Sequence, residues 1–294
     1  MEMQRHETTH HGQPIPPHRF TQGAFNVTVL SDGYLTLTAD ILLPDAGEAD
    51  RSDILGQLGG TQGGAPVRAN IPLLRRGDEL ILVDTGAGGN FQPSTGRLAE
   101  NLNAAGIRPE EITAVIYTHA HPDHSGGTTV AGGGLLFPNA RYFLSRAEWD
   151  FWTDGAFEER NPPGLHAFGQ GAKRDLFAVE DRLSLIEPDD EVLPGIVAIA
   201  TPGHTPGHLS FRLDGPDPLL ITGDACTSDV IFFEHPDWHF GFDTDPERAL
   251  KTRKELLHRA AAETLLMLGY HWAYPGLGYA ERNGNAYRFI QKQE

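Results

Sequence analysis

The chain has 294 residues, one cysteine, and 23 basic against 40 acidic side chains, for a formal net charge of −17. A single cysteine excludes an intramolecular disulfide framework, and an acidic surface repels phosphate backbones, so no nucleic-acid partner is expected. No apolar stretch approaches the roughly 20 residues of a membrane span, and Met1-Glu2-Met3-Gln4-Arg5-His6 lacks a signal-peptide core, so a cytoplasmic chain without a membrane partner is expected.

Residues 1–19 are polar, contain His6, His10, His11 and His18, and read as a flexible arm. Residues 20–294 are expected to form a single domain, long enough to bury a sizeable core. Phe25–Leu30 and Tyr34–Thr38 flank Ser31-Asp32-Gly33, a hairpin signal. The stretch 46–66, rich in Gly, Asp and Gln, reads as irregular. Leu80–Val83 is an apolar strand that leads into Asp84-Thr85-Gly86. Arg97 to Ala105 carries Leu98, Leu102 and Ala105 at helical spacing and stops at Gly106.

Ala114–Thr118 is a short β-branched run that reads as a buried strand, and it delivers His119-Ala120-His121-Pro122-Asp123-His124 into a loop. Imidazole nitrogen and carboxylate oxygen suit zinc and neighbouring first-row metals. His119 and His121 can project to one side if strand geometry persists. Asp123 and His124 lie past the turn, where they can face a second metal. Ser145-Arg146-Ala147-Glu148 is a capping box that opens a helix through Trp152.

Three later strand-like runs also end in metal-binding residue types. Ile196–Ala200 precedes Thr201-Pro202-Gly203-His204-Thr205-Pro206-Gly207-His208, Leu219–Ile221 precedes Thr222-Gly223-Asp224, and Thr264–Leu268 precedes Gly269-Tyr270-His271. Between the last two, Asp245-Pro246 starts the longest helix, which runs towards Ala262. Strands and helices thus alternate twice, with candidate ligand loops in both halves. The residues alone give a mixed α and β chain with loops that carry function on a rigid scaffold.

The order Asp84-Thr85-Gly86, His-x-His-x-Asp-His, Pro-Gly-His, Gly-Asp and a late His resembles the metallo-β-lactamase-fold hydrolases, from about Phe25 to Phe289. The tail His271-Trp272-Ala273-Tyr274-Pro275-Gly276-Leu277-Gly278 resembles the methyl parathion hydrolase-like branch. The resemblance implies a four-layer αββα sandwich with the site along one edge, and two divalent metal ions, zinc first, with manganese, cobalt or iron as alternatives. His119, His121 and His204 would bind one ion, and Asp123, His124 and His271 the other. Asp224 would bridge both, together with a water or hydroxide that acts as the nucleophile. Asp84 would orient the ligand loop, and His208 would support the Pro-Gly-His loop. Asp123, as a ligand, is one candidate for moving the proton to the leaving group. The branch also implies a homodimer.

Two positions depart from the pattern. Thr227 stands where related lactonases often carry a Tyr after the bridging Asp, and Tyr279 stands where the branch often shows a His. Cys226 could line the site, but a small buried residue is its expected role.

Two aromatic groups, Trp149 to Phe168 and Phe232 to Phe242, suit a small, uncharged substrate. By position in the family's pocket, Trp152 comes first, then Phe232, with Trp149 beside them. The reading is a binuclear hydrolase of small esters, lactones or organophosphate triesters. The enzyme alternatives are a glyoxalase-II-like thioesterase or a β-lactamase. A non-catalytic metal-binding protein of this fold would be expected to have lost ligands, whereas His119, His121, Asp123, His124, His204, Asp224 and His271 are all present.

Overall fold

The computed structural model describes residues 15–293. The first sheet holds β1 (His18–Gln22), β2 (Phe25–Thr38), β3 (Gly64–Arg76), β4 (Glu79–Val83), β5 (Ala114–Ile116), β6 (Arg141–Ser145) and β7 (Leu183–Ile186). They lie side by side in chain order. Pairing is antiparallel from β1 to β4 and parallel from β4 to β7.

The second sheet holds β8 (Glu191–Leu193), β9 (Ile196–Ala200), β10 (Leu209–Leu213), β11 (Leu219–Gly223), β12 (Leu266–Gly269), β13 (Leu277–Asn283) and β14 (Ala286–Gln291), also in sequential order. Only β11 and β12 pair in parallel. The short helices are α1 (Ala39–Leu42), α4 (Pro122–Ser125), α6 (Phe157–Arg160) and α8 (Ile231–Glu234). The longer ones are α2 (Glu48–Gln57), α3 (Leu98–Ala104), α5 (Arg146–Thr153), α7 (Pro163–Ala178) and α9 (Pro246–Glu263).

The period-2 alternation of strand side chains builds the layers. Ala114 and Ile116 of β5 enter a core shared with Ile196, Ala198, Phe211 and Ile221 of the other sheet. Val115 and Tyr117 point the other way, into a cluster with Leu98, Trp152, Ala172 and Leu176 from the helices. On the far side, Leu256, Leu257 and Ala260 of α9 cover Leu220 and Met267. Helices therefore flank two face-to-face sheets, which is the expected αββα sandwich. Each fully buried aliphatic side chain contributes roughly 1.5–3 kcal/mol relative to an exposed one, so the three clusters fix the sheets that aim the site loops.

Three sequence expectations need correction. The arm cannot end at residue 19, because His18 and Arg19 already pair with Val29 and Thr28 in the first sheet. Residues 1–14 of that arm, with His6, His10 and His11, lie outside the described residues.

Ser31-Asp32-Gly33 is a bulge within β2, not a hairpin turn. The strand keeps pairing with β3 on both sides, with Ser31 opposite Asn70 and Tyr34 opposite Arg68. Two residues thus face one, and the distortion turns a side chain inward. Asp32, fully buried, accepts the N–H groups of Ala87 (2.8 Å), Gly96 (3.0 Å) and Leu98 (2.8 Å). Burial pushes its carboxyl up to about 6.

The stretch 46–66 is not irregular throughout, because α2 occupies 48–57. Ile54 and Leu55 bury against the second-half core. Gly59, at φ 73°, closes the helix, with Gly59 N–H donating to Gly56 and Gly60 N–H to Leu55. That left-handed closing turn favours glycine. The ends expected for α3, α5 and α9 agree within one or two residues with those observed. No helix among the described residues is long and apolar enough to cross a membrane.

Candidate metal centre

The candidate ligands come from loops at strand ends, where rigid sheets meet irregular backbone. His119 and His121 follow β5, Asp123 and His124 sit on α4, His204 and His208 lie between β9 and β10, Asp224 follows β11 and His271 follows β12. All are buried, with at most 7 % of their surface exposed. Three groups converge: His119, His121 and His204; His119, His124 and Asp224; and Asp123, His124 and His271, the atoms of each lying within 4.8 Å of one another.

The hydrogen bonds fix which ring nitrogen faces inward. His124 Nδ1–H donates to Asp84 Oδ2 (2.8 Å), leaving Nε2 free. His271 Nδ1–H donates to the Arg68 carbonyl (2.7 Å), and His204 Nδ1–H to Asp243 Oδ1 (2.9 Å). Thr118 Oγ1 donates to Asp84 Oδ2 (2.9 Å), so it accepts from His119 Nδ1 (3.0 Å). Ligating imidazoles are held this way when the opposite nitrogen must keep its lone pair.

Several buried polar atoms of the cluster lack partners. The buried Nε2 atoms of His119, His121 and His124, and Oδ1 of Asp224, make no hydrogen bond. His121 Nδ1 and His204 Nε2 stand 2.9 Å apart. Asp224 faces both ligand groups, with Oδ2 3.3 Å from His204 Nε2 and 3.2 Å from His271 Nε2, and Oδ1 3.4 Å from His124 Nε2. Buried polar atoms are normally satisfied, so this donor set of nitrogens and carboxylate oxygens fits divalent cations.

Charge is divided inside the cluster. Burial, helped by neighbouring imidazoles, holds His119 and His121 well below their ordinary range. Burial also opposes charge on His124 and His271, yet Asp224 and Asp123 overcome it, pushing His124 well up and His271 to about 10. Cation uptake at neutral pH is therefore expected to displace protons from His124 and His271. Zn²⁺ added to metal-free protein in weak buffer is expected to release about two protons per chain, with affinity falling as pH drops. Uptake without acidification would contradict this assignment.

His208 takes no part in the three groups. Burial lowers it to about 3, and its Nε2 accepts Asp224 N–H (2.9 Å) while Nδ1 meets Thr201 Oγ1 (2.8 Å). It braces the backbone at Asp224, a role close to the support expected for it. Cys226 is fully buried, and burial pushes its thiol up to about 12. A neutral thiol is no nucleophile. Cys226→Ala is expected to leave turnover largely intact at a stability cost of roughly 1 kcal/mol, checked by kinetics and thermal unfolding.

The expected pocket residues are placed differently. Trp152 and Phe232 are fully buried. Trp152 packs behind His121, with ring centroids 5.5 Å apart, in the first-half core. Phe232 lies in the second-half core with the Arg253 guanidinium 4.0 Å above its ring. Neither forms an open wall. Trp149 is partly exposed but packs edge-on against Phe177 (5.7 Å), on its own helix layer.

The partly exposed aromatics beside the ligands are Phe168, 5.3 Å from His121, with Phe91 (6.0 Å) and Phe242 (5.6 Å) against it. Phe240 stacks on His204 at 5.8 Å. Phe168 and Phe242 belong to the two aromatic groups that the sequence offers for a pocket, but they come from distant segments, and Phe91 lies outside both groups. Asp243 and Glu148 were also missed. Glu148 carried a signal in the capping box, but for a different role.

A family model described as the metallo-beta-lactamase superfamily matches residues 64–271. An N-acyl homoserine lactonase of a Bacillus species is 32 % identical over 164 residues, covering 54 % of this chain and 56 % of the relative. The N-acyl homoserine lactonase AttM of Agrobacterium fabrum (strain C58 / ATCC 33970) is 32 % identical over 138 residues, 43 % of this chain and 46 % of its own. The chain thus spans about half the length of the curated relatives it matches. Among solved structures, AidC, described as a dizinc quorum-quenching lactonase, superposes with a TM-score of 0.87 at 29 % identity, covering 95 % of this chain and 98 % of that one. The hydrolase AbOPH, described as in the beta lactamase superfamily, gives a TM-score of 0.88 at 27 % identity, covering 96 % and 99 %.

Proposed function

The chain belongs to the metallo-beta-lactamase superfamily, and from that premise we propose that it is a binuclear metal-dependent hydrolase of small, uncharged lactones. The convergence of seven buried ligand side chains carries this reading, with Nε2 of His119, His121 and His124 and Oδ1 of Asp224 making no hydrogen bond. The lactone is favoured over other acyl substrates by its lactonase relatives. Phosphotriesters are the second class, supported by the likeness of the tail from His271 to Gly278 to the methyl parathion hydrolase-like branch.

In this reading His119, His121 and His204 would hold one divalent ion and Asp123, His124 and His271 the other, and Asp224, which faces both groups, would serve each. Such ions, when bound, acidify water and polarise a carbonyl or phosphoryl oxygen. The chain supplies the rest. Asp123 is the carboxylate at hand to hold a proton and return it to the leaving oxygen. Thr227, buried and without a hydrogen-bond partner for its hydroxyl, is too short to reproduce the Tyr of related lactonases. Phe91, Phe168 and Phe242 offer an apolar wall that excludes water and holds an acyl chain.

The wall makes a prediction of its own. Phe168→Ala is expected to lower kcat/KM for long-chain acyl lactones by on the order of 10-fold relative to short-chain ones, with metal content unchanged. An equal loss for all chain lengths would place the acyl chain elsewhere.

The test of function is hydrolysis of N-acyl homoserine lactones and of an aryl phosphotriester by zinc-reconstituted protein, with a chelated sample alongside. Lactone turnover well above phosphotriester turnover, lost on chelation, is the expected result. Turnover of thioesters or β-lactams but not lactones would overturn the substrate class while leaving the metal centre in place.

A further inference from the structure

Glu148 occupies the third position of α5, where a Glu ordinarily reaches back to the N-cap N–H in a capping box. Only half of that box forms. Ser145 Oγ accepts Glu148 N–H (3.1 Å), but the carboxylate turns inward and is fully buried. There Oε2 accepts Ala120 N–H (3.1 Å) and Trp152 Nε1–H (2.6 Å), while Oε1 accepts Gly207 N–H (2.9 Å).

The two backbone donors belong to different halves of the molecule. Ala120 lies between His119 and His121, after β5; Gly207 lies between His204 and His208, before β10. The loop around Gly207 also presses on the first turn of α5. A Cβ at Gly207 would lie 2.3 Å from Glu148 N and 2.5 Å from Ser145 Oγ, so a side chain there would drive the loop off the helix. Burying a carboxylate is costly unless it is hydrogen-bonded, and here every donor is a group whose position fixes a ligand loop or the Trp152 ring behind His121.

We propose that Glu148 is a positioning residue that locks the loops bearing His119, His121 and His204 in register, and so sets the metal affinity of that group selectively. This rests on the metal-centre reading above. The other group is oriented by different partners: Asp84 on His124, the Arg68 carbonyl on His271, and Tyr270, whose hydroxyl donates to the Asp123 carbonyl (2.6 Å). None of these hydrogen-bonds to Glu148. Glu148→Gln keeps the size but replaces one acceptor oxygen with an N–H donor, which must face Gly207 N–H or the Ala120 and Trp152 donors.

The test is a Zn²⁺ titration of metal-free protein against a competing chelator, with Co²⁺ absorption to distinguish the two binding steps. In Glu148→Gln one step is expected to weaken by roughly 10- to 100-fold, with the other unchanged. Ser145→Ala removes the helix cap without touching the carboxylate and should leave both steps as in the wild type. If Glu148→Gln does not fold, Glu148→Asp, which keeps the charge but shortens the reach, should show the same selective loss. Two unchanged steps, two equally weakened steps, or the same loss in Ser145→Ala would overturn the positioning role. A wild-type chain that takes up no Zn²⁺ would instead bring down the metal-centre reading, and this one with it.

Discussion

Asp224→Asn is expected to reduce lactone turnover by more than about 100-fold and to lower zinc occupancy. Substituting groups that merely orient metal ligands already costs roughly 10–100-fold, and Asp224 faces the ligands of both groups directly. Its two oxygens lie 3.2–3.4 Å from Nε2 of His271, His204 and His124. Asparagine replaces one oxygen with a donor and removes the charge that offsets His124 and His271. The backbone is anchored separately, through Asp224 N–H to His208, so the variant should stay folded. Folded protein with near-normal turnover and full zinc content would contradict the bridging assignment.

Asp84→Ala is expected to have the largest effect on stability. Asp84 is fully buried and accepts Thr118 N–H (2.7 Å), Thr118 Oγ1–H (2.9 Å) and His124 Nδ1–H (2.8 Å). Its backbone sits at φ 66°, a conformation that Asn and Asp tolerate better than Ala. Truncation strands a buried amide, a hydroxyl and an imidazole that its carboxylate neighbours keep charged. Removing one partner of such a pair costs about 3–5 kcal/mol, or on the order of 10 °C in melting temperature for a chain of this size. Asp84→Asn keeps the φ and one acceptor oxygen, so it should cost clearly less. Equal melting temperatures for the two variants would show that the hydrogen bonds contribute little. Asp84→Ala should also weaken zinc binding, because the tautomers of both His119 and His124 depend on this carboxylate.

The ligand loops were legible because each depends on short-range order. An apolar run sets a strand, and the residues just past its end must enter the loop. That rule placed His119, His121, Asp123, His124, His204, Asp224 and His271 at strand ends, and the structure brings them together. The helix ends at Gly106 and Asp245-Pro246 were readable for the same reason.

What was missed depends on distant partners. Asp32-Gly33 carries the same local chemistry in a turn or in a bulge, and only continued pairing with β3 decides between them. The helix α2 buries little beyond Ile54 and Leu55, so its sequence shows no clear apolar face. α7 is diluted by Gly164, Gly169 and Gly171, and it went unread although it delivers Phe168. The family's pocket pattern points to Trp152 and Phe232, but a large aromatic is also what a core buries, and both lie in the core. Glu148 fitted a capping box, and only the fold shows that its carboxylate instead spans two ligand loops.

The most direct measurement is metal content and lactone hydrolysis on the same samples: purified, chelated, and zinc-restored. About two zinc ions per chain, with turnover lost on chelation and regained on restoration, is the predicted result. Turnover that persists after the metal is stripped, or a chain that takes up no zinc, would contradict the central claim that these buried His and Asp side chains form a hydrolytic metal centre.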